Sequence, residues 1–257
     1  MREIMKETNN ITLKEKFVDI ETHKLRVLIA DFPSDITIVL EAGGGENSDS
    51  YNQIQEKLAK RTQTRVISYD RSGWGKSDLG PDTITARDEC IALKKILKLL
   101  GIKENLILAG LSYGGYLIQF FTQMFPTLVK GLILIDPMNV DFVDKITLEK
   151  LNASTPYFDN PTSNREKAGN RQVDQFEESL KFLRGKKIPT YIPVRLLTAG
   201  IPLEPVFWRE CHEKLVQDSI KHKLIIADNC EHHIVNCNPE LVLDSIYSLL
   251  KEIQSNS

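Results

Sequence analysis

The chain has 257 residues, 41% of them hydrophobic, which is enough apolar material for one large domain around a continuous core. Its 33 Lys plus Arg against 35 Asp plus Glu leave a formal charge of −2, which argues against a nucleic-acid partner. Residues 1–14 form a polar tail without an apolar leader, and the longest apolar runs are only strand length. The expectation is a cytoplasmic protein with no membrane partner.

From Phe17 onward, short β-branched runs alternate with amphipathic stretches. Strands are expected at Lys16–Ile20 and Lys24–Ala30, then at Ile36–Glu41, which runs into Ala42-Gly43-Gly44-Gly45. A helix near Tyr51–Lys60 leads to a strand at Arg65–Tyr69. The stretch Thr83–Leu100 carries helical apolar spacing and stops at Gly101. Leu106–Leu111 is the next strand, followed by a helix over Tyr113–Phe125 and a strand at Gly131–Asp136. Strands at Val194–Thr198 and Lys223–Ala227 and helices at Glu204–Ser219 and Pro239–Ile253 complete the pattern. Fully apolar strands between helices predict an α/β fold, a mostly parallel sheet covered on both faces and opened by an antiparallel pair.

Residues 138–188 break this rhythm with two helical pieces, Asp141–Leu151 and Gln172–Leu183, around the turn-rich Thr155–Asn164. They read as a small helical cap inserted between core segments 15–137 and 189–257. The cap aromatics Tyr157, Phe158, Phe176 and Phe182 either line a pocket or fasten the insert to the core; fastening is the ordinary role for any one of them.

The strongest chemical signal is the strand–turn–helix run LILAGLSYGGYLIQFF. Gly110 and Gly114 permit a sharp turn that lifts Ser112 off the strand end at the mouth of a helix, whose dipole favours developing negative charge. A hydroxyl attacks a carbonyl only when a base accepts its proton. His23 lies in an early turn, and His212 and His222 lie on or beside a polar helix, where solvated surface is the expected place for them. His232 lies in the loop after the last strand, over the carboxyl end of the sheet. The four cysteines, Cys90, Cys211, Cys230 and Cys237, are too few for a disulfide scaffold. The run NCEHHIVNC does not match zinc-ligand spacing and reads as buried thiols flanking a functional histidine, so neither metal nor cofactor is expected.

From about Phe17 to Ile253 the sequence resembles the α/β-hydrolase fold superfamily, in its serine hydrolase or esterase-like branch. The resemblance rests on Gly110–Gly114, on Asp70–Ser77 (DRSGWGKS), and on Glu231-His232-His233-Ile234 followed by Pro239-Glu240. It implies Ser112 as nucleophile and His232 as base, with His233 as the register alternative. It also implies an oxyanion hole of the Tyr113 and Gly44 N–H groups. The DRSGWGKS segment would shape the loop beside the site. The third triad member is Asp136, at the end of its strand, or alternatively Glu204, of which Asp136 is favoured. A serine in that place argues against the family's dehalogenases and epoxide hydrolases, which use an aspartate nucleophile.

The function implied is cleavage of a small carboxylic ester, or an amide or lactone, through an acyl-enzyme. The alternatives are a ligand sensor with slow or no turnover, and a cofactor-free perhydrolase.

Overall fold

The computed structural model describes residues 12–146, 156–202 and 207–255. Eight strands among these residues form one sheet in the order β1-β2-β4-β3-β5-β6-β7-β8. They are β1 (Lys14–Asp19), β2 (Lys24–Ala30), β3 (Thr37–Glu41), β4 (Arg65–Tyr69), β5 (Leu106–Leu111), β6 (Val129–Ile135), β7 (Val194–Ala199) and β8 (His222–Ala227). β1 and β2 are antiparallel, as are β2 and β4; the remaining neighbours are all parallel. Parallel neighbours need long crossovers, which the chain supplies as helices. These are α1 (Gln55–Thr62), α2 (Ala86–Leu99), α3 (Tyr113–Met124), α4 (Val140–Ile146), α5 (Asn164–Asp174), α6 (Phe176–Leu183), α7 (Phe207–Val216), α8 (Ile234–Cys237) and α9 (Pro239–Ser255).

The central strand β5 is apolar and buried at every position because both faces of the sheet are covered. Successive side chains of β5 point to opposite faces. Leu106 and Leu108 join the cluster containing Leu93 and Ile96 of α2 and Leu117 and Phe121 of α3. Ile107 and Ala109 join the opposite cluster, with Leu58 of α1 and Ile246 and Leu249 of α9. Each such buried Leu or Ile contributes about 1.5–3 kcal/mol relative to exposure. The rigid result is a row of strand ends from which loops carry the site.

Strand positions follow the sequence expectation within one or two residues. The insert differs. α5 starts at a capping box, in which the Ser163 hydroxyl accepts from the Glu166 N–H and the Glu166 carboxylate accepts in return. The chain leaves helical geometry at Gln175 (φ −95°, ψ 1°), so the expected Gln172–Leu183 helix is instead split between α5 and α6. The far part of the expected Asp141–Leu151 helix lies outside the described residues.

Two histidine assignments are corrected. His212 on α7 is fully buried, and His222 opens β8 with its side chain buried. α7 turns Trp208, Cys211 and His212 inward, where Trp208 and His212 bond to Asp136 and Pro137 beyond the end of β6. The cysteine reading is corrected as well: Cys230 and Cys237 form a disulfide, and Cys237 is exposed. Among the described residues, no helix is long and apolar enough to cross a membrane.

Candidate active site

Ser112, Asp136 and His232 follow β5, β6 and β8, and Gly44 follows β3, so all four lie beyond the carboxyl ends of parallel strands. Between β3 and β5 the chain order reverses direction across the sheet, the position where open α/β sheets leave a crevice.

Ser112 has φ 52° and ψ −117°, a strained conformation for a residue with a side chain. The surroundings impose it. A Cβ at Gly110 would lie 2.5 Å from the Gly114 backbone, and one at Gly114 only 2.4 Å from Glu41 O. The turn closes only if both positions lack a side chain. Ser112 N donates to Ile135 O at 3.0 Å, and Ser112 O accepts from Met138 N at 3.0 Å, tying the turn to the end of β6.

Asp136, with φ 42°, is 1% exposed and accepts three hydrogen bonds among the described residues. Its Oδ1 accepts from Ala199 N at 2.8 Å and from Trp208 Nε1 at 2.9 Å. Its Oδ2 faces His232 Nδ1 at 2.7 Å. Burial would raise this carboxyl, but the His232 hydrogen bond together with the Ala199 and Trp208 donors holds it below its usual value. A charged Asp136 makes His232 Nδ1 the donor and leaves Nε2 as a proton acceptor. Ser112 makes no direct hydrogen bond to His232 among the described residues, a separation commonly closed only when substrate binds.

The other histidine, His233, pairs with Glu46 at 3.3 Å on the exposed side, so the register places His232 on the acid. The alternative acid, Glu204, lies outside the described residues.

Gly44 packs beside Tyr113: a Cβ there would sit 3.4 Å from Tyr113 Cβ. Neither the Gly44 N–H nor the Tyr113 N–H has an acceptor among the described residues, whereas Gly43 N already donates to Glu46 Oε2 at 3.3 Å. Two free donors therefore flank the serine. Above them lies a cavity of about 590 Å³, bounded by Ser112, Trp74, Met138 and the cap residues Phe158, Gln172 and Phe176. The other two cap aromatics do not line it. Phe182 stacks on Phe120 at 4.1 Å between centroids, and Tyr157 is exposed.

Trp208 and His212 went unrecognised in the sequence. Trp208 donates to the acid and stands 5.8 Å from the His232 ring. His212 bridges Thr198 Oγ1 and Pro137 O, each at 2.9 Å. A carbonyl can only accept, so His212 Nε2 carries the proton. Burial lowers the pKa of this ring, which makes it a neutral strut behind Asp136.

A sequence profile described as the alpha/beta hydrolase fold matches residues 36–176, more than half of the chain. The chain belongs to the α/β-hydrolase fold family. Among its relatives, the uncharacterised protein YqjL of Bacillus subtilis is 24% identical over 222 residues, covering 84% of both chains. Among solved structures, E-2-(acetamidomethylene)succinate hydrolase superposes with a TM-score of 0.71 at 17% identity, over 93% of this chain and 100% of that one. A malate-bound thermophilic esterase from Thermogutta terrifontis gives 0.70 at 17% identity, over 93% of this chain and 99% of its own. At such identities the structural likeness speaks for the α/β-hydrolase fold, and the chemistry is argued from the side chains.

Proposed function

We propose that this α/β-hydrolase is a serine hydrolase that cleaves a small carboxylic ester through an acyl-enzyme on Ser112. One observation carries the reading. A strained serine lies on the wall of a mostly apolar cavity open on one side, between two unused N–H donors, with an Asp–His pair carried on the strand ends beside it. In the proposed cycle His232 Nε2 takes the Ser112 proton as Oγ attacks the ester carbonyl, and the oxyanion forms against Gly44 and Tyr113 N–H. The imidazolium, stabilised by Asp136, returns the proton to the leaving alkoxide. Water then enters by the same route and releases the acid.

The cavity suits a short acyl or alcohol chain rather than a polymer. Residues 138–188 act as the cap that sets this choice, since Phe158, Gln172 and Phe176 supply much of the wall. Amides and lactones follow esters as substrates of the same chemistry.

The test is fluorophosphonate labelling with intact-mass analysis, alongside hydrolysis of p-nitrophenyl acetate and butyrate. Wild type should gain one adduct and turn over repeatedly. Ser112→Ala should gain none, and both Ser112→Ala and His232→Ala should lose about 10⁴–10⁶-fold in kcat. An unlabelled wild type, with Ser112→Ala equal to it on esters, would overturn the assignment. A single burst without turnover would favour the sensing role instead.

A further inference from the structure

The two oxyanion donors are backbone groups, and one of them lies in a run of three glycines that has little conformational restraint of its own. The structure shows what holds that run. Arg71, two residues after β4, is buried at 1% exposure of its side chain. Its Nη1 donates to Ala42 O at 2.7 Å and to Glu41 Oε1 at 2.8 Å, and its Nη2 donates to Gly43 O at 2.6 Å. A trans peptide is planar, with its C=O and N–H pointing in opposite directions. Fixing Gly43 O therefore fixes the direction of the Gly44 N–H, and a charged donor on that oxygen also polarises the N–H as a donor.

The second donor is tied to the same cation. The Arg71 guanidinium lies 5.4 Å from the centre of the Tyr113 ring, and the Tyr113 hydroxyl donates to Glu89 Oε2 at 2.8 Å. Glu89 Oε1 faces Arg71 Nε at 3.4 Å as an ion pair without hydrogen-bond geometry. Burial opposes the Arg71 charge, but Glu41 and Glu89 outweigh it and raise its pKa. Burial pushes both carboxyls up, with Arg71 pulling the other way.

We infer that Arg71 is a positioning residue for the oxyanion hole: through the Gly43 carbonyl it aims and polarises the Gly44 N–H, and through Tyr113 and Glu89 it anchors the opposite donor. This inference rests on the serine-hydrolase reading above. Arg71 touches no substrate, so its removal should leave ground-state binding intact and weaken only what binds the developing oxyanion.

The experiment compares wild type, Arg71→Lys and Arg71→Met on p-nitrophenyl butyrate and on butylboronic acid, whose tetrahedral serine adduct mimics the oxyanion. Arg71→Met should lower kcat on the order of 10²-fold, as loss of one oxyanion donor does, with KM within about threefold. Its butylboronic acid affinity should fall by the same factor as kcat/KM. Arg71→Lys should recover part of both, since an ammonium can still reach a carbonyl.

A folded Arg71→Met with wild-type kcat and boronic acid affinity overturns the inference alone. A wild type that neither labels with fluorophosphonate nor turns over overturns the hydrolase reading, and the inference with it. Should the variants fail to fold, the wild type still decides. A Gly44 backbone order parameter near 0.85 supports the clamp, and one below about 0.6 overturns it.

Discussion

The two walls of the site are held by different means. On the serine side the candidate groups are fixed by backbone. Ser112 is locked by two hydrogen bonds to neighbouring peptides, and Gly44 sits on a loop gripped by a buried arginine. On the histidine side a side chain does the work. His232 hangs from a surface loop and is steered by its hydrogen bond to Asp136 and its ring contact with Trp208, with the Cys230–Cys237 disulfide bracketing it. The first wall resists substitution by geometry, whereas the second depends on a few polar atoms. The acid and the glycines should therefore fail in different ways.

Beyond removal of Ser112 or His232 themselves, the largest effect is expected at Asp136→Asn. Ala199 N and Trp208 Nε1 both donate to Oδ1, so the amide oxygen must occupy that side. The amide NH₂ then faces His232 Nδ1 and forces the ring to protonate at Nε2, where it cannot accept the serine proton. A loss of about 10⁴-fold in kcat is expected, with labelling slowed in parallel and the fold retained. Wild-type kcat in this variant would point to another acid.

Gly114→Ala sits on the opposite wall and should break it through shape. The new methyl meets Glu41 O and Ala42 O, so the β3 end must move or α3 must tilt. A loss of about 1–3 kcal/mol in stability is expected, as for other overpacked sites. Activity should fall with it, and both are read from one urea titration and one rate assay.

The disulfide gives a milder test of the histidine wall. Its cysteines are seven positions apart, a short loop for which chain-entropy arguments give about 2–3 kcal/mol. Reduction, or Cys230→Ser with Cys237→Ser, should lower the melting temperature and reduce kcat about tenfold or less, with the labelling stoichiometry unchanged.

The smallest effect is one of pH. The folded-state pKa of Asp136 is depressed below its ordinary 3.8, so the stability from its charge is complete above that value and is lost only as pH falls through the folded-state value. The stability gap between wild type and Asp136→Asn should stay constant from pH 7 to about 5 and narrow below pH 3.8. A gap that closes near neutrality would show that the charge is not held there.

Features written in local sequence were legible. The strands announced themselves by apolar runs, and Ser112 by glycines two positions to either side. Asp136 and His232 emerged because a strand end and a late loop are the places from which side chains reach a sheet's edge. Features assembled from distant segments were not legible. Glu41, Arg71 and Glu89 converge from β3, the turn after β4 and α2, and only Arg71 belonged to a recognisable motif. Trp208 and His212 sit on a helix whose composition is polar, and burial of one face follows from where β6 ends. The pairing of Cys230 with Cys237 was missed because the spacing of two thiols does not tell whether a turn brings them together.

The φ of 52° at Ser112 carries a last consequence. A serine forced into this region destabilises the native state by about 1–3 kcal/mol, and glycine there is nearly free of that penalty. Ser112→Gly should therefore melt higher than wild type while being catalytically dead. If Ser112 is the nucleophile, the side chain that the proposed chemistry needs is then the one that makes this turn less durable.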